Sequence, residues 1–463
     1  MLAPPSSPES APLRPERAVG IWGGLSANIL NMVGIGPFIT IPLALSAMGG
    51  PQALIGWVLG AAISLCDGFV WAELGAAMPH SGGSYAYLRR LFGERKLGNM
   101  FAFLFLWQTL LNGPLNVAAG AIGFTNYLSY IFPSLGHWAL IGLAAVLCLA
   151  STALLYRNIR SVQVISIVTT VIVIAAFVWI IISGASHFDA HKAFDFPPTA
   201  FSMNAGFFAG LGSATLIAVY DYGGYSNICQ IGGEVKNPQK VIPLAILGAI
   251  VLIAVLYCGL NLSIIGTMPW REVMTSTAVV ADFMQSLYGR AGGIVVAVLI
   301  MIAGWGSIYV VLLGYSRVPY AAAAEGKFFK PFAALHPKGH FPTVSLVFMG
   351  IVSAICCLVR LEALISVLIV IQTLFQYSMQ CIGVIVRRKY LMELGMPYKM
   401  PLFPLPALLS LAGWIYIVFT SKLIYIALGF ALFAVGSLVY LGLAHRRKEW
   451  PFAPALPMAD PEA

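Results

Sequence analysis

The stretch Tyr220-Asp221-Tyr222-Gly223-Gly224-Tyr225 puts a carboxylic acid, three aromatic rings and two glycines inside a long apolar run. An acid in such a run is costly in hydrocarbon and is a functional residue by default. Asp221 has two chemistries open to it: pairing with the amine of a ligand, or carrying a proton. The neighbouring rings can stack on a cation or close a site as a gate. A second apolar run is interrupted at Asn31-Met32-Val33-Gly34-Ile35-Gly36-Pro37-Phe38. Gly34 and Gly36 release the backbone from helical geometry, and Pro37 removes an N–H and restricts the residue before it. The N–H groups freed there form a site for an anion such as a carboxylate. The carbonyls freed before the break can accept bonds from an ammonium. Bare backbone persists in hydrocarbon only where it lines a cavity. Paired breaks, one in each half of a chain, point to the binding site of a secondary transporter.

Other polar residues lie on the runs around these breaks. Asn112 and Asn116 are four apart and share a helix face. Trp305, Ser307 and Tyr309 fall together on another span, and Gln372, Gln376 and Gln380 form a polar stripe suited to interhelical bonding. Asp67 and Glu73 are six apart, about 600° around a helix, so they do not share a face. Glu73, near the end of its span, is expected to pair with a loop arginine in a structural or gating role. Asp67 lies deeper.

Composition sets the elements that must carry these residues. Of 463 residues, 59% are hydrophobic and 9% are charged, against about 25% charged in a soluble domain. The chain is therefore a polytopic membrane protein, with the lipid bilayer as its solvent. The net charge of +9 lies in short loops between apolar spans, which excludes nucleic acid as a partner. About twelve spans are long enough to cross a core of roughly 30 Å. They are 18–46, 52–78, 98–131, 137–156 and 160–184, then 205–232, 241–266, 291–323, 343–359 and 362–387, then 403–420 and 423–444. With the N-terminus in the cytoplasm, 21 of the 26 Lys and Arg fall on the inner face, as the positive-inside rule requires.

The layout reads as two inverted repeats, 18–184 and 205–387, each opening on a broken span, followed by two further helices in 403–444. Residues 1–17 read as a disordered cytoplasmic tail, lacking the basic and apolar parts of a signal peptide. Residues 445–463 form a cytoplasmic C-terminal tail. The segment 279–288 reads as a short amphipathic surface helix. No Ser/His/Asp constellation or Walker loop occurs, so an enzyme is not expected. No cofactor or metal is expected either: Cys356-Cys357 lack ligand spacing, and His336 and His340 flank Pro337 and Gly339 in a loop. The seven cysteines offer no loop pair for a disulfide.

Three further stretches carry a family resemblance: Trp71-Ala-Glu73-Leu-Gly75 through Pro79, Gly82-Gly83-Ser84-Tyr85 and Tyr87; Gly233-Glu234-Val-Lys236-Asn237-Pro238; and Gly314-Tyr-Ser-Arg317-Val-Pro-Tyr320. With Gly34-Ile35-Gly36, they resemble the amino acid–polyamine–organocation permeases over about residues 18 to 445. That resemblance implies the LeuT-like fold of five-plus-five inverted spans with two added, working by alternating access in the plasma membrane. It implies binding of an amino acid's carboxylate and amine at Gly34, Ile35 and Gly36, with Tyr220, Asp221, Tyr222, Gly223 and Gly224 opposite and Tyr220 as gate. Asn31, Asn112, Asn116 and Tyr309 complete the expected binding set. Tyr220, Asp221, Asp67 and Glu73 are the expected gating or coupling residues, with a proton or sodium as coupling ion.

Three departures bear on substrate and partner. The Gly-Pro-Phe run at 36–38 looks more like the polyamine-uptake branch. Asp221 stands where amino-acid exchangers have a small residue. The fifth span has Ala176 near the position where some members carry a lysine. A polyamine or other organic amine is therefore the alternative substrate. The connection around Ser134 to His137 lacks the cysteine by which animal exchangers join a heavy chain, so no disulfide-linked partner is expected.

Overall fold

The computed structural model describes residues 17, 19–79, 82–93, 96–157, 162–336 and 341–452. The remaining tail residues, Arg14, Arg95, Arg160, Lys338 and His340 lie outside them.

The first apolar run forms α1 (Ile21–Met32), α2 (Gly36–Ile39) and α3 (Ile41–Met48), and its axis turns by 58° at Thr40. A 3₁₀ turn at Pro51–Ala53 leads into α4 (Leu54–Ala77), followed by the short α5 (Ser84–Leu91) and the long α6 (Leu97–Ile131). Next come α7 (His137–Arg157), α8 (Val162–Ser186) and α9 (Ala190–Ala193). The helix α10 (Ala205–Tyr222) starts where the Asn204 side chain accepts the Phe207 N–H at 2.9 Å, a standard N-cap. After α11 (Asn227–Gln230), α12 (Pro238–Ile265) opens with proline at its first position, where the missing N–H costs nothing. Then follow α13 (Trp270–Val273), α14 (Val279–Ala324), α15 (Thr343–Cys356), α16 (Leu361–Ile371), a π-helical stretch Gln372–Tyr377, α17 (Ser378–Val386) and α18 (Arg388–Glu393). The chain closes on α19 (Leu405–Thr420) and α20 (Leu423–Arg447).

Among the described residues there is no strand, only isolated bridges at Val19–Val235 and Leu335–Pro342. Among the described residues seven helices are long and apolar enough to cross a membrane, and the bent run 21–48 makes an eighth. The remaining expected spans fall short of that measure for two reasons. The helices α6 and α10 carry the polar residues of the candidate site, while α15 and α19 have only 14 and 16 residues. The segment 279–288 is helical and buries one face through Val279, Val280, Phe283 and Met284. It leaves the axis of the following span at Gly289, whose φ is +69°.

Packing is organised around two long pairs, α6 against α14 and α4 against α12. The broken elements flank them, with α1 on α12 and α10 on α4. Outside these lie α8 on α14 and α16 on α6, with α7 and α15 packed on each other. The outer helices show apolar side chains to the surroundings: Leu423, Phe430 and Leu438 of α20 are largely exposed, as residues covered by lipid would be.

Glu73 ends α4 in full burial. It pairs with Arg388, whose guanidinium also lies 4.0 Å over the Phe403 ring, and it accepts the Met400 N–H at 2.7 Å. This matches the expected arginine partner and fastens α4 to α18 and the segment before α19. Breaking a buried pair by removing one charge costs about 3–5 kcal/mol, less where one partner is partly hydrated, as Arg388 is. Glu73→Gln is expected to lower the unfolding midpoint of the purified protein by several degrees. An unchanged midpoint would show that the pair contributes nothing to stability.

Candidate functional site

The two breaks meet. At the first, α1 ends with the Val33 N–H bonded to the Ile29 carbonyl at 2.7 Å. The N–H groups of Gly34, Ile35 and Gly36 find no protein acceptor among the described residues. At the second, Gly224 has φ +110°, a conformation that L side chains rarely adopt. A Cβ on Gly224 would stand 2.7 Å from the Asn31 carbonyl carbon, so the two chains touch backbone to backbone.

Four side chains tie the breaks together. Asn31 Nδ2 donates to the Gly224 carbonyl at 3.4 Å, and the Ile228 N–H donates to Asn28 Oδ1 at 2.9 Å. The Tyr257 hydroxyl donates to the Met32 carbonyl at 2.8 Å and lies 3.3 Å from the Asp221 carbonyl. Thr40, at the 58° bend, donates its hydroxyl to Asp221 Oδ2 at 2.5 Å. The other carboxylate oxygen, Oδ1, occupies the space that a Cβ on Gly36 would need. Gly36 is thus glycine to let the Asp221 carboxylate approach the first break.

A cavity opens beside this contact, with about 230 Å³ of room for water-sized groups, enough for a small organic molecule. One wall is a stripe on α6: Phe105, Thr109, Asn112, Asn116 and Gly120, spaced three or four apart. The opposite walls come from both breaks, from α14 between Ser307 and Val318, and from the π-helical stretch. The run from Gly120 to Phe105 covers roughly 22 Å of helix rise, and the lining extends to Gln230, Ile231, Arg317 and Val318. Beyond Gly120, Phe38 is fully buried and the Tyr127 hydroxyl donates to its carbonyl at 2.7 Å. The cavity therefore leads toward the Arg317 end.

Of the expected binding residues, Asn31, Gly34, Ile35, Gly36, Asn112, Asn116, Tyr220, Asp221, Gly223 and Gly224 line this cavity. Tyr222 and Tyr309 do not. Tyr222 follows Asp221 by about 100° of helix and turns into the core against Trp57 and Tyr257, with ring centroids at 6.2 and 5.3 Å. Tyr309 is fully buried beside Trp305, on the side of α14 away from Ser307. Asp67 and Glu73 also lie outside the cavity.

Several wall residues escaped the sequence reading. Thr109 and Gly120 extend the Asn112/Asn116 stripe and follow from its spacing. Tyr377 gave no signal, being a single residue in an apolar run, and neither did Thr40, which stands behind the wall as donor to Asp221. Gln372 and Gln376 line the cavity, and Gln376 also takes part in interhelical bonds. Gln108 donates to Gln376 Oε1 at 2.7 Å, and Gln376 donates to Ser84 Oγ at 3.0 Å.

Two buried atoms in the wall have no partner among the described residues, Asp221 Oδ1 and Asn112 Oδ1. Both are acceptors. Among the described residues no Lys, Arg or His pairs with Asp221. The wall thus offers two unpartnered oxygens to a ligand, one of them on a carboxyl group, beside the unpaired N–H groups of the first break. Buried acceptors without partners are rare and call for an occupant.

Comparison with known proteins agrees with this geometry. Residues 22–442 match the amino acid permease family. The chain is 25% identical over 445 residues to the serine/threonine exchanger SteT of Bacillus subtilis, covering 93% of this chain and 98% of that one. It is 28% identical to the large neutral amino acids transporter small subunit 2 of Rattus norvegicus, covering 94% and 82%. It is 29% identical to the cationic amino acid transporter 4 of Mus musculus, covering 77% of this chain and 58% of that one. A match across nearly the whole chain, on a multi-pass helical protein with a polar cavity between two broken helices, makes this chain a member of the amino acid permease family of transporters.

Proposed function

We propose that this protein moves amino acids across the plasma membrane by alternating access, with the substrate held in the cavity between the two breaks. The observation that carries this reading is the meeting of both breaks around one cavity. The unpaired N–H groups of Gly34 to Gly36 suit a carboxylate, and Asp221 Oδ1 suits an amine. Both termini are cytoplasmic in this reading, and the chain works without a disulfide-linked heavy chain. Tyr220 serves as gate, and a proton or sodium is the coupling ion.

The architecture that goes with it is twelve spans, with 18–184 and 205–387 as inverted repeats. The helix packing supports the repeat. Exchanging the halves maps α1 on α12 to α10 on α4, α8 on α14 to α16 on α6, and α8 on α12 to α17 on α4. Each of these contacts and its image are both present, as two inverted repeats would have them.

One observation favours a second reading, transport of a polyamine or another organic amine. Asp221 brings a carboxyl group into the wall with no cation beside it among the described residues, and a substrate with an extra ammonium would supply one.

Counterflow in proteoliposomes tests both. Vesicles loaded with unlabelled neutral or cationic amino acids, putrescine or spermidine are offered the labelled compound. Accumulation of an amino acid, lost on bulky replacement of Gly36, is the expected result. Accumulation of putrescine or spermidine alone would move the protein to the second reading, and no counterflow with any of them would overturn both.

A further inference from the structure

Behind the cavity, Asp67 is fully buried in the middle of α4 and touches neither lipid nor the cavity. Its two oxygens are shared out unevenly. Oδ2 accepts the Tyr225 hydroxyl at 2.7 Å. Oδ1 accepts Ser410 Oγ at 3.2 Å, Trp414 Nε1 at 3.3 Å and the Cys381 thiol at 3.7 Å. Tyr225 belongs to the second break, whereas Ser410 and Trp414 belong to α19 and Cys381 to α17. Among the described residues no Lys, Arg or His pairs with Asp67, so these donors alone offset the burial of the carboxylate.

Both ends of this cluster reach the cavity walls from behind. Tyr225 is the residue after Gly224, the one residue of the second break with a positive φ. Trp414 stacks on Tyr377, with ring centroids 4.8 Å apart and planes 26° apart. Tyr377 lines the cavity and donates its hydroxyl to Gln372 Oε1 at 3.0 Å. A shift of the second break relative to α19 must therefore give up the bonds to one oxygen or the other. Hydrogen bonds to a charged group in a low-dielectric interior are among the strongest that the fold offers.

We propose that Asp67 is a positioning residue for transport, a latch whose two oxygens hold the segment after the second break against α17 and α19 and keep the cavity open toward the Arg317 end. The proposal rests on the reading of this cavity as the transport pathway. Its test does not require a substrate. Gly314 lines the cavity, and a side chain added there meets nothing within 4 Å. Gly314→Cys is thus a reporter of the open cavity. The protein carrying it is placed in nanodiscs, and the rate of modification by a membrane-impermeant methanethiosulfonate is measured, with the unsubstituted protein as background.

Adding Tyr225→Phe or Asp67→Asn is expected to slow that modification at least about twofold, because one hydrogen bond to a charged group shifts the open-to-closed ratio by about tenfold or more. Tyr225→Phe removes only a hydroxyl, so the test stands even if Asp67→Asn does not fold. Unchanged or faster modification in Tyr225→Phe overturns the latch and leaves Asp67 as a static tie, whatever transport does. Slower modification without counterflow of any tested amine leaves the latch standing and removes the substrate reading instead.

Discussion

Gly224→Ala is expected to abolish transport while leaving a protein that inserts and can be purified. Two separate costs fall on this residue. Its φ of +110° is unfavourable for any residue with a side chain, a strain of roughly 1–3 kcal/mol. The new methyl would also stand 2.7 Å from the Asn31 carbonyl carbon and 2.8 Å from its oxygen. Those are backbone atoms of the first break, which cannot rotate aside as a side chain would. Overpacking of this sort costs about 1–3 kcal/mol more. The two breaks must separate, and Asn31 loses the Gly224 carbonyl. Counterflow at or below one-hundredth of the parent rate is expected, since each 1.4 kcal/mol is tenfold. Gly36→Ala offers the contrast. There the obstacle is the Asp221 side chain, which can swing away if it leaves Thr40. Its loss should be smaller than that of Gly224→Ala. The reverse ranking would mean that the breaks do not need to touch.

Asp221→Asn carries the second large effect. The substitution keeps the shape of the side chain and the Thr40 contact but removes the ionisable group that faces the cavity. If an ammonium sits against Oδ1, affinity for cationic substrates should fall by about 10- to 100-fold, the range for one hydrogen bond to a charged group. Neutral amino acids should lose as much if it is the α-amine that sits there, and less if Asp221 takes a cationic side chain. Competition of lysine, putrescine and a neutral amino acid for the same labelled substrate checks this. Equal losses for all three would put the α-amine against Oδ1, and a loss confined to lysine and putrescine would assign Asp221 to the additional ammonium. Unchanged affinities with loss of proton-driven accumulation would make Asp221 the proton carrier.

The fold was legible in the sequence wherever one residue type had one physical meaning. Glycine and proline in an apolar run leave few alternatives to a broken span, and both breaks fell where the helices part. Asn112 and Asn116 lie on one helix face by spacing alone, and that face is the cavity wall. What could not be read was rotation. Tyr220, Asp221 and Tyr222 are consecutive, yet a helix fans them over some 200°, so the first two face the cavity and the third faces the core. Ser307 and Tyr309 part company for the same reason. Thr40 was invisible because its partner is 181 positions away. Asp67 was seen as an acid without an address, since its four donors come from three other segments. Glu73 was easier, because a carboxylate at a span end has few partners besides a loop arginine.

The π-helical stretch from Gln372 to Tyr377 has a consequence for how this part of the gene can change. A π turn holds one residue more than the α-helix around it, so it acts as a stored insertion. Removing one of these residues would heal the helix and leave the segments on either side in their present register. Gln380 would keep Ser84, to which it is bonded at 3.0 Å, and Arg388 would keep Glu73. The loss would fall on the cavity wall that the stretch supplies. The same deletion in the plain α-helical turns of α17 before Arg388 would instead turn everything after it by about 100° and unfasten the Glu73 end of α4.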